Sequence, residues 1–325
     1  MLTALLALAL AFAFVQAFRD APLSLASLVT GGGLHPLHAI VWAAAFNLLA
    51  ALVFGLQVAA TTAFGIVDPA QADRDVIFGA LAGGLAWLAI SRWIGIAASA
   101  SHALIGGLLG ASVASGGAAA ILAAGTLPFV AFIVVAPALA FLLGALLMVG
   151  VSWLFFRVEP RRVDGWFRRL QLVSSALYAL GYAGNNAQKT MAVIWLLLIG
   201  AGLAGAAALP AWVVWASHAA IALGTLAGGR RIVRQMGQRI TRLRPAGGFC
   251  AESGAAAAVS LATLMGVPVS STQTLAGALV GVGSANTVSA VRWSIAGDFV
   301  RAALLTIPAA AVLAALGWRL GRLMS

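Results

Sequence analysis

Charge is what this chain has least of. Only 8% of its 325 residues are Asp, Glu, Lys or Arg, against 62% hydrophobic residues and a mean hydropathy of +1.04. A soluble globule needs about 25% charged residues to cover its surface, so a soluble fold is excluded and the chain is read as an integral membrane protein. Cysteine is nearly absent: Cys250 stands alone, which rules out an internal disulfide framework and argues against redox chemistry. Lysine is limited to Lys189. Acids are few as well, giving a net charge of +11. In a soluble protein that excess would suggest nucleic acid, but here the arginines gather in two short stretches and read as an orientation signal, so nucleic acid is excluded as a partner. No soluble domain fits anywhere along the chain.

What is present is a series of apolar runs near 2–18, 37–60, 77–98, 102–124, 127–156, 171–208, 211–228, 250–266, 268–285 and 299–320. About 20 apolar residues cross a bilayer core, and so much Ala, Gly and Leu rules out the alternation of a barrel. Helices are the spanning element that remains, and the lipid bilayer is the expected environment. The opening "MLTALLALALAFAFVQAF" imitates a signal peptide but lacks a basic start, and is read as a retained first helix.

The chain also repeats itself. "GIAASASHALIGGLLG" (95–110) overlays "GVPVSSTQTLAGALVG" (266–281), pairing Gly95 with Gly266, Ser99 with Ser270, Ser101 with Thr272, Gly106 with Gly277 and Gly110 with Gly281, each pair 171 residues apart. Trp42 pairs with Trp215 at a shift of 173, and Asp20 with Asn186 at a shift of 166. Such an offset predicts an internal duplication: a first repeat over 1–156, a basic cytoplasmic loop over 157–170 and a second repeat over 171–325. Charge sets their orientation. Around residues 68–75, one arginine against three aspartates gives 1 − 3 = −2, whereas the equivalent stretch of the second half carries Arg230, Arg231, Arg234, Arg239, Arg242 and Arg244 with no acid, giving +6. By the positive-inside tendency equivalent loops face opposite sides, which is an inverted repeat. Arg319 and Arg322 run against that scheme, because strict inversion puts the C-terminal end outside.

Four polar interruptions, "QAFRDAPLS", "AASASH", "GNNAQKT" and "VSSTQT", sit inside apolar runs. The fold class expected is an all-α membrane protein of inverted-topology repeats with broken helices and re-entrant helical hairpins, the pattern of secondary transporters. Starts of half-helices carry free N–H donors and partial positive charge, which suits an oxyanion. A lone Ser or Thr in a membrane helix more often bonds back to its own backbone; two clusters at matching repeat positions favour a site. His102 is read as a satisfied interior histidine, since Gln273 occupies its partner position. An intramembrane enzyme would need a nucleophile paired with a base, and no His, Cys or acid pair at helical spacing supplies one.

The motifs "GNNAQKTM" (184–191), "SHALIGGLLGA" (101–111), "GRRIVRQMGQRITRLRPAGGFCAESGAAA" (229–257) and "GVPVSSTQTLAGALVGVGSA" (266–285) resemble the inorganic phosphate transporter (PiT) family over nearly the whole chain. The resemblance implies a secondary carrier that imports inorganic phosphate by alternating access in the cell membrane, with Na⁺ or H⁺ co-transported and no other cofactor; some related permeases move sulfate. It implies substrate contacts from Asn185, Asn186, Gln188, Lys189, Thr190, Ser99, Ser101, Ser270, Ser271, Thr272 and Thr274. A coupling ion, Na⁺ included, would sit at Asp20 and Asn186, with Lys189 orienting the site or pairing with Asp20. The chain departs from the family pattern at Leu23, where an asparagine is usual, at Asn186, where an aspartate is usual, and at Gln273, where a histidine is frequent. The amide at Asn186 removes a charge that could neutralise a cation. Hydrogen phosphate brings a hydroxyl donor that needs an acceptor, and sulfate brings none; Asp20 is the acceptor carboxylate that survives. The alternatives are a sulfate or other oxyanion permease and an uncoupled anion channel, and a homodimer is admitted.

Overall fold

A computed structural model describes residues 1–235, 244–286 and 293–324. The protein is helical throughout these segments, and among the described residues extended pairing is limited to one antiparallel bridge between Val67 and Ile121. The helices are α1 (Leu2–Thr30), α2 (Pro36–Leu49), α3 (Gln57–Thr61), α4 (Arg74–Trp93), α5 (Ala100–Gly116), α6 (Ala123–Leu154), α7 (Pro160–Gly200), α8 (Ala211–Gln235), α9 (Pro245–Leu264), α10 (Ser271–Asn286) and α11 (Trp293–Met324). Arg239 and Arg242, counted in the charge argument, lie outside the described residues.

Five of these helices, α1, α4, α6, α8 and α11, are long and apolar enough to cross a membrane. α7 is not among them, because Asn185, Asn186, Gln188 and Lys189 interrupt its apolar half. The run at 37–60, expected as one crossing, is instead bent by 75° between Pro36–Leu52 and Gln57–Ile66. Two of the four polar stretches expected to interrupt helices do not break them. "GNNAQKT" lies within the unbroken 41-residue α7, and "QAFRDAPLS" lies within α1, which continues past Pro22. The physical reason in α7 is that its amides and ammonium mostly seek partners on other helices, leaving the backbone ladder intact. The charged stretch expected as a loop over 157–170 is helical from Pro160, which occupies the first turn where its missing N–H costs nothing.

Breaks occur where the other two polar stretches lie. α4 ends at Trp93 and α9 at Leu264; each is followed by a glycine of positive φ, Gly95 at +76° and Gly266 at +74°, and then by a short helix capped by serine. At 17 and 16 residues α5 and α10 are about 25 Å long, short of a core about 30 Å thick. They are the second arms of helical hairpins, the first turning at exposed residues around Gly95 and the second at buried residues around Gly266.

Packing repeats with the same spacing. A Cβ added at Gly106 or Gly110 of α5 would strike the carbonyl oxygens of Ile307 and Ala311 in α11, and at Gly277 or Gly281 of α10 those of Pro137 and Phe141 in α6. The glycine pairs are 171 residues apart and their partners 170 apart. Close backbone approach through small residues is how helices associate in lipid. Each short helix thus lies on the last long helix of the other half.

α1 and α7 cross antiparallel: Gly31 lies against Gln171, Asp20 against Tyr182 and Gln16 against Asn186. The start of α9 joins one end of this pair, where Arg244 is 3.8 Å from Asp164. At the far end of α11, Gly321 lies against Asp75. The C-terminal arginines therefore share an end with the acidic stretch 68–75.

Candidate functional site

Along α7 every residue from Ala183 to Leu198 is buried, so the polar cluster has no lipid or water to face and must be satisfied by protein. Lys189 is fully buried. Its Nζ donates to Ser101 Oγ (2.7 Å), Val269 O (2.8 Å) and Asn185 Oδ1 (3.0 Å), all three neutral oxygens. Pairing with Asp20, one of the two roles expected for it, does not form. The α1–α7 register sets Asp20 opposite Tyr182, whose hydroxyl donates to Asp20 Oδ2 at 3.1 Å. Tyr182 lies seven residues before Lys189, about 10 Å along the helix.

Asn186 is the junction of the cluster. Its Oδ1 accepts from Gln16 Nε2 (2.7 Å) and Ser101 Oγ (3.1 Å), and its Nδ2 donates to Ser271 Oγ (3.1 Å). Ser101 is in the first turn of α5 and Ser271 opens α10. Two helix N-termini, one from each half, therefore arrive at one asparagine. The first N–H groups of α5 and α10 have no partner inside their own helices, and both dipoles present their positive ends here.

Other residues singled out from the sequence hold the frame. Asn185 is saturated: Nδ2 donates to Thr263 Oγ1 (3.0 Å) and Val267 O (3.1 Å), while Oδ1 accepts from Val269 N (3.0 Å) as well as from Lys189, so it pins the α9–α10 turn. Gln188 Oε1 accepts from the amides of Val58 (2.9 Å) and Ala59 (3.1 Å), capping the bent segment at α3, and its Nε2 donates to Gly184 O (2.8 Å). Ser99 and Ser270 are N-caps, accepting from His102 N and Gln273 N. Thr272 lies 3.3 Å from Ser270 Oγ, and Thr274 donates to the carbonyl of Ser270. Thr190 is buried with an unpartnered hydroxyl. His102, read as a satisfied interior histidine, stacks edge-on against Phe129 but leaves Nδ1 unpartnered, and Gln273 Nε2 is also unpartnered.

The structure adds residues that sequence reasoning passed over. Gln16 lay in a quoted stretch, but nothing marked it apart from Arg19 and Asp20. Tyr178 and Tyr182, the chain's two tyrosines, line the α1–α7 crossing; Tyr178 donates to Ser271 O at 3.1 Å. Glu252 is a fully buried carboxylate that accepts from Ser27 and Ser174 at 2.5 Å each and from Gln171 at 3.4 Å, tying α1, α7 and α9 together. An acid within an apolar run was the available signal for it.

The chain is 49% identical over 317 residues to a probable low-affinity inorganic phosphate transporter of Rhizobium meliloti, covering 97% of this chain and 95% of that one. It is 36% identical over 313 residues to a protein of the same description from Bacillus subtilis, covering 95% and 94%. A solved structure described as the sodium-dependent phosphate transporter superposes with a TM-score of 0.84 at 20% identity, over 99% of this chain and 100% of that one, and so shares its fold. Residues 16–314 match the phosphate transporter family model, and the chain belongs to that family.

Proposed function

We propose that this protein is a secondary active transporter that imports inorganic phosphate across the cell membrane by alternating access, coupled to Na⁺ or H⁺. Lys189 carries the proposal. A fully buried ammonium is costly unless a counter-charge offsets it, and among the described residues it has hydrogen-bond acceptors but no ion pair. An oxyanion beside it would supply the missing negative charge, and the N-termini of α5 and α10 supply further donors at the same place. Asn186, Ser101, Ser271 and Lys189 form the core of the anion site. Thr190 and Thr272 border it, and Asn185, Gln188, Ser99, Ser270 and Thr274 hold its walls.

Asp20, one turn along from this core, takes the coupling cation. A dianion moving into a negative interior is opposed by about 2.3 kcal/mol per charge per 100 mV, so accumulation requires co-transported cations. In this reading 1–156 and 171–325 are inverted halves, and alternating access consists of one set of hairpins shifting around the shared site. The reading applies equally to a single chain or a homodimer.

Uptake of radiolabelled phosphate and sulfate into proteoliposomes, under imposed Na⁺ or H⁺ gradients, tests the proposal. Phosphate should accumulate under at least one gradient. Accumulation of sulfate alone would reassign the substrate. Flux that never exceeds equilibrium under any gradient would make the protein a channel.

A further inference from the structure

The hydrogen bonds around Asn186 run in one consistent direction. The Lys189 ammonium can only donate, so Ser101 Oγ accepts from it. Ser101 in turn gives its own proton to the next neighbour, the side-chain oxygen of Asn186. That oxygen also accepts from the N–H₂ end of Gln16 at 2.7 Å. The carbonyl Oε1 of Gln16 is left over, buried and without a partner. Every other side chain bonded to Asn186 enters as a hydroxyl.

The geometry points to Gln16 as the specificity-determining residue of the anion site, with its Oε1 accepting the P–OH proton of monohydrogen phosphate. This assignment rests on the transport reading above. Phosphate at neutral pH needs several donors and at least one acceptor, whereas sulfate needs donors only. Around Gln16 the second N–H of the Asn186 amide, the hydroxyl of Ser271 and the first N–H groups of α5 and α10 supply donors, while Lys189, whose three N–H groups are taken by Ser101, Val269 and Asn185, supplies positive charge. Asp20, the acceptor expected from the sequence, lies one turn away with Tyr182 on its Oδ2. A buried acceptor without a partner is destabilising, and a bound anion that brings its own donor relieves that cost while sulfate does not. A site built to bond a substrate hydroxyl rejects an analogue without one far more strongly than an apolar pocket rejects a size mismatch.

Monofluorophosphate separates this from charge and shape, because it keeps the dianionic tetrahedron and replaces P–OH by P–F. In proteoliposomes the protein should take up phosphate and arsenate, both bearing a hydroxyl, about tenfold to a hundredfold more effectively than sulfate or monofluorophosphate. Gln16→Met, which keeps the length of the side chain without an acceptor, should bring all four anions to within a few-fold, chiefly by slowing phosphate. Gln16→Glu, which retains an acceptor, should keep the preference for hydroxyl-bearing anions even at a reduced rate. Equal transport of phosphate and monofluorophosphate by the unaltered protein overturns the assignment without recourse to a variant. So does an unchanged preference in Gln16→Met. In either case phosphate still moves and the transport reading stands, whereas absence of all four fluxes in the unaltered protein would defeat that reading first.

Discussion

At the scale of single residues the site is organised by one cation and one amide. Lys189 sets the direction of the hydrogen bonds, and Asn186 passes them to both short helices. Asp20 stands slightly apart, half-buried and bonded to Tyr182. That separation gives it a distinct expected phenotype. Asp20→Asn keeps an acceptor for the Tyr182 hydroxyl and so preserves the α1–α7 contact. It removes the charge that would balance a co-transported cation. Accumulation against a gradient should disappear while exchange of phosphate at equal concentrations persists at a measurable rate, as read by counterflow in proteoliposomes. Undiminished gradient-driven uptake would remove Asp20 from the coupling mechanism.

At the scale of elements, the decisive features are the two turns that reverse the chain between α4 and α5 and between α9 and α10. Gly95 and Gly266 occupy equivalent places with φ near +75°, where an L side chain costs about 1–2 kcal/mol. Their surroundings differ. A Cβ at Gly95 meets nothing within 4 Å, whereas one at Gly266 would lie 2.9 Å from Thr61 Oγ1 and 3.2 Å from Gln57 O. Gly95→Ala should therefore lower stability in detergent by the conformational cost alone. Gly266→Ala should lower it further and disturb the bent segment that Gln188 caps. Thermal unfolding of the two variants side by side checks the order, and equal losses would mean that the α9–α10 turn is free to shift.

At the scale of the whole molecule, ends that are remote in sequence are brought together. The start of α7 and the start of α9 meet through Asp164 and Arg244, and the end of α11 reaches Asp75 at the start of α4. Two faces follow, one basic around 157–169 and one bearing the acidic stretch with the C-terminal end of α11. In a Cys250→Ala background, Arg162→Cys and Asp73→Cys should react with a membrane-impermeant thiol reagent from opposite sides of sealed vesicles. Arg319→Cys, at an exposed position on the same end, should behave like Asp73→Cys. Labelling of Arg162→Cys and Asp73→Cys from one side would break the inverted arrangement of the halves. The chain's own cysteine is buried, so its replacement by alanine is a mild change.

The membrane class, the duplicated hairpins and most of the polar core were legible in the residues alone. Composition decides whether a chain can be solvated, and a fixed offset between glycines and serines survives in the letters whatever the packing. The bent segment at Val53–Leu56, the continuity of α7 and the placing of Gln16 opposite Asn186 were not legible. A helix is broken or kept according to where its polar side chains find partners, and those partners are 85 to 170 residues away. Local pattern therefore announced that a polar site existed in lipid. Tertiary structure alone decided which side chain faces which, because the register of α1 against α7 is set by close packing across the two halves and by no feature of either helix on its own.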